Sequence, residues 1–344
     1  MIVQVVKAVG RKVLLVPGVT WPFSLLLRSR AVIFMLHRFR VPDLGVEGHD
    51  PDHVGKTLEF LRRKRFEFVP LAEMFARLSE GRVVRRTVAF TLDDGYLDQG
   101  TVAAEAFRRY DCPATTFVTT GFLDGALWFW WDQIEYIFNH TDRRDLCLQL
   151  SEMKVKYARE DGAGWRTAQE DFIARCKGVA DADRAAGVLS LSRAAEVEIP
   201  VQPPACYAPM SWDQARDCER RGMTFGPHTV SHPILSRITD DQCSQEITDS
   251  WNQLRGQVLR PVPIFCYPNG GLQDFGSREI EVLRRVGLKG AVVGYGGYTE
   301  TGSLARSPDA AFKISRFSYP DSFTDLVQIA GGVLRFREIM GGAG

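Results

Sequence analysis

The chain has 344 residues, 45% hydrophobic and 25% charged, with a formal net charge of +1. It is long enough for one large α/β domain or two modest ones, and too apolar for a disordered chain. The near-zero charge leaves no electrostatic footprint for nucleic acid and points to no acidic partner; no protein partner is inferred.

In chain order, residues 1–30 form a basic and apolar N-terminal segment. Its apolar run from Val13 to Leu27 is flanked by Lys7, Arg11, Lys12, Arg28 and Arg30 and broken by Pro17, Gly18 and Pro22. It is too short and too broken for a transmembrane helix, and no small-residue cleavage site follows. It reads as a segment covering the domain, with peripheral contact to anionic lipid as the alternative.

Residues 31–344 read as one domain in which strands and helices alternate. Ala31 to Leu36, Thr87 to Thr91 and Ala114 to Val118 are short apolar runs without helical period, hence buried strands. Asp52 to Arg65 and Leu97 to Tyr110 are expected as helices. Further strands are expected at Met223 to Gly226, Pro263 to Tyr267, Ala291 to Gly294 and Lys313 to Arg316. Helices are expected after the capping boxes Ser211/Gln214 and Thr239/Gln242, and at Ser277 to Val286. Residues from about 121 to 205 break the rhythm and read as a helical insertion that caps a rim; its Trp128-Phe129-Trp130-Trp131 cluster reads as core packing, with sugar stacking as the alternative.

This βαβα order implies parallel strands with helices outside. Polar residues follow several strands: His37-Arg38, Asp93-Asp94, His228 and Asn269. In a barrel such positions gather at one rim, so a distorted (β/α)7 barrel is expected over an open sheet.

The seven cysteines are scattered, odd in number and without a CxxC pair. That argues for core residues in a reducing compartment, so the expected location is cytoplasmic, with membrane association as an addition. The sequon Asn139-His140-Thr141 then carries no meaning.

Two motifs carry chemistry. Asp93 and Asp94 end an apolar strand before Gly95, and adjacent carboxylates repel unless a cation or proton intervenes. The plainer reading is a turn with a capping aspartate. His228 and His232 are four apart, as on one side of a helical turn, and two of only six histidines in the chain. Together they suggest two imidazoles and a carboxylate on a divalent metal, with the second carboxylate free as a base, the parts that metal-assisted amide hydrolysis needs.

The sequence resembles the polysaccharide deacetylases, the carbohydrate esterase group (family four) that includes chitin and peptidoglycan deacetylases. Thr91-Leu92-Asp93-Asp94-Gly95 is similar to the family's Thr-Phe-Asp-Asp-Gly motif, with Leu92 in place of Phe. His228 to His232 is similar to its His-Ser/Thr-x-x-His motif. Phe265 to Gly270 is similar to its Phe-x-Tyr-Pro-Asn-Gly form, and His37-Arg38 to a Tyr-His-Arg segment at the first strand. The resemblance implies that Asp94, His228 and His232 bind one divalent ion, zinc by default, with cobalt, nickel or iron as alternatives. It further implies that Asp93 is the base and that a backbone N–H near Tyr267 faces the oxyanion. The fold implied is a distorted barrel.

The chain departs from the family in three places. Cys266 replaces the arginine that orients the base, no Leu-x-His segment supplies a general acid, and Leu92 changes packing. Arg316, or else Arg38, is expected to take the missing positive charge to Asp93, and His37 to act as the acid. The expected function is removal of an N-acetyl or other acyl group from a carbohydrate, an intermediate of surface polysaccharide biosynthesis. A cell-surface deacetylase of polymeric glycan and a non-catalytic carbohydrate-binding homologue are the alternatives.

Overall fold

The computed structural model describes residues 22–82, 84–159, 164–307 and 309–341. The basic apolar segment over residues 1–21 lies outside the described residues. No helix among those described is long and apolar enough to cross a membrane.

Among the described residues eleven strands occur, in chain order: β1 (Arg30–Leu36), β2 (Glu67–Phe68), β3 (Thr87–Asp94), β4 (Ala114–Val118), β5 (Asp145–Leu150), β6 (Met153–Ala158), β7 (Thr224–Pro227), β8 (Ile264–Cys266), β9 (Gly290–Val292), β10 (Thr299–Glu300) and β11 (Phe317–Ser318). The main sheet runs β10-β1-β3-β4-β7, with β11 on β1 and β2 on β3. Its ladders are parallel except β10 on β1. β3 is buried at every position, as its unbroken apolar run requires of a central parallel strand.

The expected barrel does not appear as one closed sheet. β8 and β9 pair only with each other, and single bridges, Phe225 to Pro261 and Val292 to Ile314, join them to β7 and to the approach to β11. Proline explains one gap. Pro261 and Pro263 precede β8 and Pro227 ends β7, and none has an N–H for a ladder. The architecture shown is α/β with a mainly parallel sheet.

Other elements fall near their sequence positions, with three differences. Both capping boxes form, at Ser211/Gln214 and Thr239/Gln242. The helix expected over Leu97–Tyr110 is instead a π-helical turn, Gln99–Ala103, followed by a short α-helix, Ala104–Arg108. The expected strand ending at Arg316 is displaced, so Arg316 immediately precedes β11. The insertion is not purely helical: β5 and β6 form an antiparallel hairpin. Leu146, Leu148 and Leu150 alternate inward and join Ile134, Phe138, Phe172 and Leu191 in a core of the insertion's own.

Candidate active site

The strand ends come first, because they place every reactive group. Asp93 and Asp94 close β3. Asp94 takes φ 88° and Gly95 takes φ 96°, so the chain turns sharply just where two carboxylates meet. A residue with a side chain rarely adopts the φ of Gly95, and a Cβ there would also press on Leu123 Cδ1 at 2.6 Å, so glycine is favoured. Gln99, fully buried on the π-helical turn, ties this corner together. Its side-chain amide donates to the carbonyls of Asp93 and, at 2.6 Å, His37, and its Oε1 accepts from Gly95 N–H at 3.2 Å. A single side chain thus fixes the ends of β1 and β3, and π-turns recur at such sites. Nothing in the sequence reading singled out Gln99.

The histidine pair is brought together differently from the helical turn expected. Residues 228–232 are irregular backbone after β7, with Thr229 at φ 67° and His232 at φ 59°. Left-handed backbone is costly at a β-branched residue and persists only where the surroundings enforce it. Here Glu246 accepts from the Val230 and Ser231 N–H groups at 2.8 and 2.9 Å and from Ser231 Oγ at 2.5 Å. Thr229 Oγ1 accepts from His232 N–H at 3.0 Å. Glu246 was not foreseen either.

His228 Nδ1 lies 2.7 Å from the Cys266 carbonyl. Donating there leaves its Nε2 as the lone-pair atom, the usual arrangement behind a metal-binding imidazole. His228 Nε2 and His232 Nε2 are 3.1 Å apart, and each is 3.6 Å from Asp94 Oδ1. Donors about 2.0–2.1 Å from a tetrahedral ion stand about 3.4 Å from one another. The three atoms therefore fit one ion, and all three residues are buried. Burial first, then the His228 ring, pushes His232 down to about 3, which keeps it neutral.

Beside this triangle lies a buried ion pair. Arg316 NH1 and NH2 donate to the two Asp93 oxygens at 2.7 and 2.8 Å, and Arg316 also holds the Val293 carbonyl, Thr91 Oγ1 and Cys266 Sγ. Burial alone would raise the Asp93 carboxyl, but the guanidinium outweighs it and holds Asp93 well below the usual carboxylate range. Arg38 does not reach Asp93. Its Nε donates to Asp98 at 2.9 Å and its NH2 to the Cys206 carbonyl, with the guanidinium over the Tyr96 ring. Asp98 also accepts from Phe39 N–H, so it draws Arg38 away from the cleft. Leu92 is simply core.

His37 follows β1 with Nε2 4.0 Å from Asp93 Oδ2 and its side chain 48% exposed. Tyr267 is buried, its ring stacked 3.9 Å from Phe275. Its N–H makes only a long 3.4 Å bond to the Val292 carbonyl. His37, Asp93, Asp94, His228, His232, Tyr267 and Asn269 line one cleft of about 380 Å³. From the insertion, Trp130, Trp131, Ile173 and Lys177 close its wall, so that segment reaches the site while Trp128 and Phe129 are buried. A second cavity of about 640 Å³ adjoins it, sharing His37, Asp94 and Trp131. Arg38 lies on this second cavity. Buried Asp132 does too, accepting from Tyr96 Oη at 2.7 Å.

Comparison with known proteins gives a consistent picture. The sequence profile of the polysaccharide deacetylase family matches residues 185–291, a stretch that includes both histidines and the Phe265–Gly270 segment. Among solved structures, a Streptococcus pyogenes deacetylase, PplD, described in complex with acetate, superposes with a TM-score of 0.55 at 18% identity, covering 89% of this chain and 97% of that one. A de-N-acetylase from Aggregatibacter actinomycetemcomitans gives 0.54 at 13%, covering 87% and 99%. IcaB from Ammonifex degensii gives 0.51 at 15%, covering 88% and 97%. At these identities the superpositions establish a shared fold. No curated protein matches the sequence.

Proposed function

We propose that this chain, whose residues 185–291 match the polysaccharide deacetylase family profile, is a metal-dependent hydrolase of that family that removes an N-acetyl group from a carbohydrate. One observation carries the reading: three donor atoms, 3.1 to 3.6 Å apart, stand beside a separate carboxylate that an arginine holds in place.

When bound, a divalent ion at Asp94, His228 and His232 supplies Lewis acidity to the acyl oxygen and to water. Zinc suits two imidazoles and a carboxylate with an open position; cobalt, nickel and iron suit the same donors. The chain's own groups do the rest. Asp93 is ionised and oriented, so it takes the proton of the attacking water. The Tyr267 N–H, weakly engaged at 3.4 Å, is the proposed donor to the oxyanion. His37, on the open side of the cleft, gives a proton to the nitrogen as the C–N bond breaks, leaving acetate and a free amine. Its return to the starting state needs the proton that Asp93 gained. The broken circuit of strands, read as a distorted barrel, would explain why these groups share one rim.

The proposed substrate is a sugar intermediate of surface polysaccharide biosynthesis in the cytoplasm. Free cysteines throughout support that compartment. The adjoining cavity favours the second reading, a glycan oligomer, because it gives room for neighbouring sugars. Acetate release measured over nucleotide sugars, lipid-linked sugars and glycan oligomers, with and without chelator, tests the proposal. No chelator-sensitive release from any of them would leave the non-catalytic reading standing.

Metal content gives a direct check. Asp94→Ala and His228→Ala should each empty the site and abolish release. Full metal occupancy after either change would refute the ligand set. His37→Ala should lower kcat more than it raises KM, by roughly 100-fold for a lost general acid. An unchanged kcat would remove His37 from the chemistry.

A further inference from the structure

We infer that the cleft takes an N-acetylated sugar that carries a phosphate, and that Lys177 of the insertion is the residue that receives the phosphate. The inference rests on the deacetylase reading above and narrows its substrate. Lys177 ends the helix Arg166–Lys177, and Ile173 stands four residues before it. That spacing puts both on one side of the helix, and both line the metal cleft. A cation is favoured at the C-terminus of any helix; the place of this one on the cleft wall is what gives it a ligand. Lys177 is exposed and has no hydrogen bond or ion pair among the described residues. Arg166 and Arg175 of the same helix are, by contrast, paired with Glu170 and Asp171.

The charges around the cleft leave Lys177 unmatched. The carboxylates on the cleft wall are Asp93 and Asp94. Asp93 is matched by Arg316. Asp94 belongs to the metal triangle, and a divalent ion there outweighs a single carboxylate. Among the described residues the cleft therefore has a free cation and no free anion, which draws in an anionic ligand. The adjoining cavity has the opposite character. Glu47 and Glu135 line it, and its Arg38 is already paired with Asp98. A phosphate on the sugar is thus directed to the insertion side, toward Lys177, and away from that cavity.

The wall beside Lys177 supplies a second observation. Trp130 lines the cleft and also borders a separate pocket of about 380 Å³ that Arg184 lines. The Arg184 guanidinium sits over the Trp130 ring at 5.1 Å. Arg184 is 5% exposed and bonds Asp181 through NH2, but its NH1 is buried with no acceptor among the described residues. A buried donor without a partner is unusual, and this one leaves the insertion side with an unused donor on a cation. Lysine suits phosphate as a compact point charge. A nucleotide-linked sugar, a lipid-linked sugar and a free sugar phosphate all offer that group, and the chemistry at Lys177 is common to the three.

The test uses the full, zinc-loaded chain and sugars of one acyl chemistry that differ in charge. These are N-acetylglucosamine 1-phosphate, UDP-N-acetylglucosamine, a prenyl-diphosphate-linked N-acetylglucosamine and the neutral methyl N-acetylglucosaminide. Lys177→Gln should raise KM for the phosphorylated sugars roughly ten-fold with kcat nearly unchanged. It should leave the neutral sugar unaffected, and Lys177→Arg should restore most of the loss. The phosphorylated sugar with the largest kcat/KM names the source of the phosphate. A neutral sugar used as well as the others, or a KM change equal for charged and neutral sugars, overturns the inference and leaves the deacetylase reading standing. Binding gives a readout apart from turnover. Glucose 1-phosphate, titrated into the metal-free protein, should bind roughly ten-fold more weakly to Lys177→Gln, and more weakly to the unmodified chain as salt is raised. If no sugar releases acetate, the deacetylase reading falls and this titration decides: binding lost in Lys177→Gln keeps the phosphate site, and binding unchanged or absent removes it. Lys177 is exposed, so both variants should fold, which an unchanged circular dichroism spectrum checks.

Discussion

Arg316→Met is expected to lower stability by about 3–5 kcal/mol, the usual cost of leaving one partner of a buried ion pair uncompensated. In thermal unfolding that is a fall of about 10 °C for a chain of this size. The reason is local. The guanidinium is 1% exposed and makes two bonds to Asp93 plus bonds to Thr91, Val293 and Cys266. Removing it strands a carboxylate that has no other strong donor; the Cys266 thiol, 3.5 Å from Asp93 Oδ2, is a weak one. The double variant Asp93→Asn with Arg316→Met should recover part of the loss, because no buried charge remains unpaired. Additive losses would instead mean that Arg316 stabilises the fold mainly through Val293 and Thr91. Arg316→Lys separates charge from shape. It keeps the cation but not the two-pronged bond, so stability should return in part while turnover stays low. Full turnover in the lysine variant would deny Arg316 its positioning role.

This ion pair also shows what the sequence could and could not reveal. The absence of an arginine at Cys266 implied a vacancy beside Asp93, and Arg316 stands where a side chain can fill it. Arg38 was the second candidate, because it too stands at a strand end. The Asp98 carboxylate, three residues beyond Gly95 on the turn into the π-helix, together with the Cys206 carbonyl and the Tyr96 ring, decides against it. The aspartate pair and both histidines were legible because their spacing is local. Gln99 and Glu246 were not, because each acts on backbone groups, of His37, Asp93 and Gly95 or of Val230 and Ser231, and ordinary helix positions hold many such residues. The two imidazoles expected to share a helical turn do lie together, but not by helical geometry: Thr229 and His232 adopt left-handed backbone, which no spacing rule predicts. The β5–β6 hairpin was legible in principle, since Leu146, Leu148 and Leu150 alternate. Barrel closure depends on donors that prolines remove, and the convergence of polar residues at strand ends does not report on that.

Asp93→Asn is expected to reduce deacetylation by roughly 100-fold or more, the scale for losing a general base, while the protein keeps its metal. The geometry makes this test necessary, because a rival donor set exists. Asp93, His228 and Cys266 also place ligand atoms within 4.8 Å of one another. Two features argue against that set. Both Asp93 oxygens are already engaged by Arg316. Burial pushes the Cys266 thiol up, and a thiol must lose its proton to bind metal. The guanidinium, 3.1 Å from Cys266 Sγ, further repels a cation there. With Asp94, His228 and His232 as ligands, asparagine at 93 leaves those three donors untouched and removes only the proton acceptor. It also leaves Arg316 facing a neutral amide, so some stability will be lost, and rates must be expressed per folded, metal-loaded molecule. Measured that way, a low rate with normal metal content assigns Asp93 as base. Loss of metal together with rate would make Asp93 a ligand and bring the Cys266 set forward. A rate within a few-fold of the unmodified enzyme would place the base elsewhere in the cleft, with His37, 4.0 Å from Asp93 Oδ2, the next group to examine.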